Sequence, residues 1–338
     1  MNATTELVLH HLRSTEEYVS GTALCGALGI SRAAVWKQVQ QLRDQGYEIA
    51  SAPNRGYRLV QGVNQPSALE LGPLLNTRCF GQVLKYVAKT GSTNTDAAEL
   101  ARFGSPEGTV VVADAQTAGR GRLQRCWHSP PGENLYFSLL LRPPVLPERT
   151  PQLALVTGLA LCRSIGALFP ELSPRAKWPN DVYLNGRKLA GVLCGMSSEM
   201  ERVQHLIIGV GINVNVGDFP PEIADTATSL RRETGGEVSR PQLLATVLAE
   251  LEHGYDEWLE NGMAGVVEQW DEVSFLAGRE VTVEVMSEQV RGTVLGISET
   301  GALRLRQADG AVREIIGGDV HVLRGAAGGG FFAESDNK

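Results

Sequence analysis

The sequence has no cysteine framework. Its five cysteines, Cys25, Cys79, Cys126, Cys162 and Cys194, are scattered over 338 residues without CxxC spacing. Neither a disulfide scaffold nor a zinc knuckle is expected, and an odd set of thiols fits a reducing compartment. There is no signal-peptide layout, because Met1-Asn2-Ala3-Thr4-Thr5-Glu6 lacks a basic stretch followed by an apolar one. There is no unbroken apolar span either: residues 153–169 are interrupted by Arg163 and Ser164 and read as a core helix. Positive charge is not in excess, since 31 Lys and Arg against 38 Asp and Glu leave a net −7. That excludes a surface coated uniformly by nucleic acid. No P-loop and no dinucleotide fingerprint is present. The expectation is a soluble cytoplasmic protein without membrane contact, long enough for two or three domains.

The average charge hides an asymmetry. Between Ser31 and Val60, Arg32, Lys37, Arg43, Arg55 and Arg58 stand against only Asp44 and Glu48. The same stretch carries helical spacing. Leu7, Val8 and Leu12 suggest a first amphipathic helix, and a second runs from about Gly21 to Leu28. Gly29-Ile30 makes a turn, and Ser31 caps a third helix over 32–44. That third helix should bury Val35, Val39 and Leu42 and present Arg32, Ala33, Trp36, Lys37 and Gln40 to a groove. Two short alternating strands, Tyr47–Ala50 and Tyr57–Val60, flank a turn with Arg55 at its tip and read as a wing. The candidate DNA-contacting set is Ser31, Arg32, Ala33, Trp36, Lys37, Gln40 and Arg55. The basic members would mostly hold phosphates, with Trp36 and Gln40 nearest base edges.

The centre of the chain is organised around a loop. Thr109-Val110-Val111-Val112 reads as a buried strand, and it runs into Thr117-Ala118-Gly119-Arg120-Gly121-Arg122. Glycine lets the backbone turn and approach a ligand, and arginine brings a planar fork of donors, so such a loop can wrap an anion. Around it, strands are expected at 83–87, 108–115, 134–142 and 203–214. Helices are expected at 95–103, where Ser92 or Thr93 could act as cap, at 153–169 and at 239–260. A hairpin of 176–184 with 188–197 should turn at Asn185-Gly186. The pattern is α+β with a mixed sheet. Three further runs stand out: Lys177-Trp178-Pro179-Asn180-Asp181, Lys188-Leu189-Ala190-Gly191, and Gly209-Val210-Gly211-Ile212-Asn213. The glycines of the last run sit where something bulky must approach a strand. Beyond Phe275 a run of short alternating strands, 281–285, 290–297, 302–306 and 312–316, reads as a small antiparallel barrel. A Gly-rich and then polar tail follows. The expected domains are 1–63, 64–270 and 271–325, with a disordered tail at 326–338.

Taken together, Gly91-Ser92-Thr93-Asn94, Gly119-Arg120-Gly121-Arg122, the Lys177 and Lys188 runs and Gly209–Asn213 closely resemble the biotin protein ligase family, over nearly the full chain. Ile30-Ser31-Arg32-Ala33-Ala34-Val35 is similar to the recognition-helix start of bacterial biotin-operon repressors. The resemblance implies a winged helix-turn-helix, a central class II synthetase-like domain and an SH3-like C-terminal domain. It implies biotin, ATP and Mg²⁺ bound through phosphates, with no protein metal site. Biotinyl-5′-adenylate would form first, and biotin would then pass to a lysine of the biotin carboxyl carrier protein of acetyl-CoA carboxylase. It also implies binding to operator DNA and a homodimer when the adenylate is bound.

By match to the family's motifs, Lys177, Arg120 and Arg122 would be catalytic. Ser92, Thr93, Asn94, Gln116, Gly119, Gly121 and Gly191 would join them around biotin, with the Gly121 amide facing the ligand. Arg122, Trp127, Asn180, Lys188 and Asn213 would surround the nucleotide. One departure stands out: the family's repressor type carries a basic residue and a glycine directly after GRGR, and here Leu123-Gln124 stand there. The loop is expected to be mobile without ligand and to order over the adenylate. A ligase without DNA binding, a repressor that senses biotin without ligase activity and a lipoate ligase on the related scaffold remain open at this point.

Overall fold

Serine and glycine delimit the first helices as the spacing requires. In the computed structural model, which describes residues 3–199, 202–285 and 288–323, the N-terminal unit (Met1–Gln65) opens with α1 (Ala3–Arg13) and α2 (Gly21–Leu28). The Ser20 hydroxyl accepts from the Ala23 amide, and Gly29 ends α2 in the left-handed region at φ 65°. Ser31 caps α3 (Arg32–Asp44) by accepting from the Ala34 amide. Val8, Leu9, Leu12, Leu24, Val35, Val39 and Leu42 are buried. Strands β1 (Glu48–Ala52) and β2 (Gly56–Gln61) pair antiparallel as the wing. The Arg43 guanidinium ties α3 to it by donating to the Ile49 carbonyl at 2.6 and 3.1 Å. The tail expected at 326–338 lies outside the described residues.

The second unit (Pro66–Lys338) carries two sheets. In chain order come α4 (Ala68–Leu71), β3 (Leu84–Thr90), α5 (Thr93–Arg102), β4 (Val110–Gln116), β5 (Leu135–Leu141), α6 (Gln152–Leu168), β6 (Arg175–Lys177), β7 (Asp181–Leu184), β8 (Arg187–Glu199) and β9 (Arg202–Ile212). Next are α7 (Leu230–Thr234), α8 (Arg240–Asn261), α9 (Ala264–Val273), β10 (Glu280–Val285), β11 (Glu288–Ile297), β12 (Leu303–Arg306), β13 (Val312–Ile315) and β14 (Asp319–Val322). The large sheet has the order β3-β4-β5-β9-β8-β7-β6. Only the β3–β4 pair is parallel, so the sheet is mixed. The small sheet is antiparallel, in the order β13-β12-β11-β10-β14.

Alternation along the strands sorts the two faces of the large sheet. Leu135, Phe137, Leu139 and Leu141 of β5, with Leu206, Ile208, Val210 and Ile212 of β9, pack into the main core with α6 and α8. The opposite face carries a smaller cluster in which Val111, Leu140 and Ile207 meet Ala97 and Ala101 of α5. Helix Pro147–Leu168 is long and apolar enough to cross a membrane by composition, but it lies packed in this core.

Several expectations change in detail. Helix α5 begins at Thr93, two residues early, and Ser92 at its N-cap makes no side-chain cap bond. The Gln116 carboxamide takes that role, its Oε1 accepting from the Thr93 amide at 2.9 Å. The expected strand 176–184 is two strands, β6 and β7, with Lys177 paired to Asp181 across a turn formed by Trp178, Pro179 and Asn180. Asn185 and Gly186 turn β7 into β8 with φ of 49° and 78°, as a type I′ turn needs. Helix α9 and strand β14 were not anticipated by the sequence pattern.

Candidate functional site

The face of the large sheet occupied by α5 is left open beyond the helix's N-terminus. There a cavity of about 460 Å³ collects Ser92, Thr93, Asn94, Gln116, Arg120, Gly121, Arg122, Trp127, Lys177, Asn180, Lys188, Gly191 and Asn213. Of the residues expected at the central site, only Gly119 does not line it. Gly119 lies buried beneath the loop, where a Cβ would come within 2.7 Å of Ser129 Oγ and the Trp127 carbonyl.

The cavity floor is a closed hydrogen-bond network. Ser138, the one serine within the apolar run of β5, is fully buried. Its Oγ lies 2.7 Å from Thr93 Oγ1 and 2.6 Å from Asn94 Oδ1. Gln116 Oε1 accepts from both the amide and hydroxyl of Thr93, and its Nε2 donates to Ser129 Oγ at 3.2 Å. Ser129 in turn donates to the Trp127 carbonyl at 2.9 Å. Asn94 Nδ2 reaches the Leu193 carbonyl at 3.3 Å. Burying these polar atoms is tolerable because they are hydrogen-bonded, and the network fixes the directions of Thr93, Asn94 and Gln116.

The glycines explain how these side chains fit. A Cβ at Gly209 would fall 2.0 Å from Asn94 Oδ1, and one at Gly211 would fall 2.5 Å from the Trp127 indole. Gly191, paired opposite Gly211 in the β8–β9 ladder, would place a Cβ 3.2 Å from the same ring. The bulky groups these strands admit are therefore Asn94 and Trp127 of the chain itself. The Trp127 Nε1 is buried without a hydrogen-bond partner.

Over the floor sits the flap, residues 119–127. Its base is tied to the end of β3, with Thr117 and Ala118 amides donating to the Thr90 and Gly91 carbonyls at 2.9 Å each. Leu123 takes the left-handed conformation at φ 51°, and its side chain is 71% exposed. This turn folds the flap back on itself, so the Gly121 amide donates to the Arg125 carbonyl at 2.8 Å and the Trp127 amide to the Gly119 carbonyl at 3.0 Å. The Gly121 N–H thus does not face the cavity, contrary to expectation.

Five arginine and lysine side chains line the cavity. Arg120 is exposed and has no side-chain partner among the described residues. Arg122 donates to Asn180 Oδ1 at 3.2 Å and to the Gly318 carbonyl at 3.3 Å, and lies 3.8 Å from Asp319. Asp319 also pairs with Arg125 at 2.6 Å, so the start of β14 holds the flap through charge. Lys177, at the end of β6, is 9% exposed. Its Nζ lies 3.3 Å from the Tyr183 hydroxyl and 5.0 Å from that ring's centre. Asn180 anchors the turn by exchanging bonds with Val192, its Nδ2 donating at 2.8 Å. Lys188 pairs with Asp181 at 2.8 Å and lies 5.6 Å from the Trp127 ring.

Ser129, Ser138, Tyr183 and Asp319 are site residues the sequence reading missed. Ser138 left a signal, a polar residue inside a buried strand. Asp319 left none, being 194 positions from the arginine it pairs with.

In the N-terminal unit, Ser31, Arg32, Ala33, Trp36 and Lys37 are exposed along one side of α3, and Gln40 is half-buried. Trp36 is 57% exposed, unusual for so large an apolar ring unless it serves a contact. Arg32 donates to Thr22 Oγ1 at 2.9 Å, which fixes its guanidinium against α2. Arg55 lies exposed at the wing tip.

Comparison with known proteins agrees across the chain. Residues 86–213 match the Biotin/lipoate A/B protein ligase family, residues 4–58 an HTH domain and residues 277–323 the Biotin protein ligase C terminal domain. The bifunctional ligase/repressor BirA of Bacillus spizizenii is 38% identical over 308 residues, covering 90% of this chain and 94% of that one. The biotin–[acetyl-CoA-carboxylase] ligase of Paracoccus denitrificans is 34% identical over 68% of this chain and 96% of its own. Among solved structures, the biotin protein ligase from Aquifex aeolicus in complex with biotin and ATP aligns with a TM-score of 0.63 at 33% identity. It covers 72% of this chain and 100% of that one.

Proposed function

The chain belongs to the biotin protein ligase family, in its bifunctional ligase/repressor form, and we propose that its cavity joins biotin to ATP and that its N-terminal unit binds operator DNA. One observation carries the enzymatic part: Arg120 and Arg122 of the flap and Lys177 of β6 line a single cavity beside a closed polar floor.

In the first step a biotin carboxylate oxygen attacks the α-phosphorus of ATP. A new O–P bond forms, the bond to the β-phosphate's bridging oxygen breaks, and pyrophosphate leaves. The carboxylate is already ionised, so no base is needed. The obstacle is repulsion between two anions, which fixed cations relieve. Lys177 lies between carboxylate and α-phosphate, and Arg120 and Arg122 clamp the two anions through their forked donors. Ser92, together with Thr93, Asn94 and Gln116, which Ser138 and Ser129 hold in direction, reads the donor and acceptor pattern of the ureido ring. Trp127 packs at the adenine end, with Asn180, Lys188 and Asn213 around the nucleotide. In the second step the neutral amine of a carrier lysine attacks the acyl carbon; a C–N bond forms, the acyl C–O bond breaks, AMP leaves, and the proton lost from nitrogen passes to solvent. The acceptor is the biotin carboxyl carrier protein of acetyl-CoA carboxylase.

Mg²⁺ enters as a passenger of the triphosphate. The two carboxylates lining the cavity, Asp181 and Asp319, are each paired with a cation. Among the described residues no group of three His, Cys, Asp or Glu side chains gathers to hold an ion. Hard phosphate oxygens would hold the ion when ATP is bound.

The adenylate-bound form is a homodimer whose two winged modules read a palindrome, with Arg32, Lys37 and Arg55 on phosphates and Trp36 and Gln40 nearest the bases. The setting is the cytoplasm, supported by five free thiols. The test is transfer of labelled biotin to an isolated carrier domain with ATP, together with a duplex mobility shift with and without biotin and ATP. Labelling that requires ATP, and a shift that strengthens when both substrates are present, are expected. No labelling would remove the ligase.

A further inference from the structure

The sequence places one arginine, Arg55, at the wing tip, and the structure gathers two. The Arg55 guanidinium carbon lies 4.4 Å from the centre of the Tyr18 ring and that of Arg58 lies 5.2 Å from the same centre. Tyr18 is not on the wing. It sits in the segment joining α1 to α2, and its neighbour Val19 exchanges two backbone hydrogen bonds with Tyr57, at 2.8 and 2.9 Å. The ring and both guanidinium groups are therefore carried by segments bonded to each other. Gly56 makes the approach possible: it sits at φ 104°, and a Cβ there would fall 2.1 Å from the Val19 carbonyl.

Two like charges on one ring repel each other, so the arrangement needs a reason. Aromatic faces attract guanidinium groups electrostatically. A guanidinium stacked by its face keeps its in-plane donors for a planar or tetrahedral anion. The Arg58 Nε is buried without a hydrogen-bond partner. One carboxylate is paired with the cluster: Glu17 Oε2 lies 3.7 Å from Arg55, with side chains 82% and 62% exposed. An exposed pair at that distance is weak and salt-sensitive, and a stronger anion displaces it.

We propose that Tyr18 is a positioning residue for DNA: it holds Arg55 and Arg58 as a paired clamp on a backbone phosphate, and Glu17 is the counter-charge which that phosphate displaces. This rests on the DNA-binding reading above and adds the clamp to it. The clamp supplies affinity and orientation without reading sequence, which falls to the exposed side of α3.

The test uses the full chain with biotin and ATP and a short fluorescent duplex recovered by the wild-type chain from a random-sequence pool. Binding is titrated from about 50 to about 200 mM salt. Tyr18→Leu is expected to weaken binding about fivefold and to lower the salt slope by about one to two. Tyr18→Phe keeps the ring face and restores both. Arg58→Gln lowers the slope as Arg55→Gln does, and Glu17→Gln tightens binding at low salt. Carrier biotinylation unchanged in Tyr18→Leu reports an intact chain. An unchanged slope in Tyr18→Leu, or Tyr18→Phe behaving as Tyr18→Leu does, overturns the clamp while leaving DNA binding in place. Failure of the wild-type chain to recover any duplex overturns the DNA-binding reading itself.

Discussion

The floor and the flap of one cavity are built on opposite plans. The floor is neutral and closed: Thr93, Asn94, Gln116, Ser129 and Ser138 satisfy one another, and Gly209 is bare so that Asn94 can sit against the sheet. The flap is charged and held from outside, with Arg122 and Arg125 resting on Asp319 of a distant strand. A neutral network of short bonds keeps its geometry with or without ligand, which suits discrimination of a ring by its hydrogen-bond pattern. Ion pairs with an exposed partner are exchangeable, because a phosphate can replace Asp319 at similar distance. On the function proposed above, selectivity and gating would lie in different physical parts of the same pocket.

That division can be broken by substitution. Lys177→Ala should give the largest effect, a loss on the order of 10²-fold or more in adenylate formation, because a preorganised charge is removed where charge develops. Single-turnover release of pyrophosphate measures it, and a loss below about threefold would place Lys177 outside the chemistry. The two glycines of β9 come next. Gly209→Ala drives a methyl into Asn94 and should raise KM for biotin about tenfold or more, with a smaller change for ATP. Gly211→Ala presses on Trp127 and should do the reverse, raising KM for ATP by a similar factor. Equal changes for both substrates in both variants would erase the distinction between floor and flap.

Releasing the flap should matter less. Asp319→Asn is expected to speed tryptic cleavage at residues 120–125 by a few fold, about what loss of partly exposed ion pairs allows. Biotin with ATP should suppress cleavage in the wild-type chain. Cleavage indifferent to ligand would refute gating. The smallest effect lies at the far end of β9. Burial, aided by the nearby charges of Arg142 and Arg102, holds the His205 imidazole below its ordinary value near 6.5. The folded chain therefore favours the neutral ring. Its contribution is intact above about pH 6.5 and declines as pH falls from there through the lowered folded value. His205→Gln should flatten the fall in Tm between pH 7 and pH 5 without changing transfer at pH 7, and an unaltered fall would show that other groups cause it.

What the sequence revealed follows the range of the forces involved. Local capping placed α2 and α3 at their observed bounds, because Ser20, Gly29 and Ser31 act within a turn of themselves. The Asn185-Gly186 turn was equally legible. The glycines of β9 announced a close approach, yet what approaches, Asn94 and Trp127, is set by chain segments about a hundred residues away. The direction of Gly121 was misread because the left-handed turn at Leu123 reverses the flap, and a leucine gives no warning of it. Strand β14 is four residues long and Asp319 is an ordinary acidic residue, so nothing local marked the flap's anchor. In each case the missing information was a contact made by folding.

The central claim is that Arg122 of the flap and Lys177 at the end of β6 act on the same pair of anions. A double-mutant cycle on single-turnover adenylate formation tests it most directly. If the two cations stabilise one developing charge, removing Arg122 from the Lys177→Ala chain should cost far less than removing it from the wild type, a coupling of about 1–3 kcal/mol. Losses that multiply without coupling would mean the two cations serve separate events, and the single-site account would be wrong.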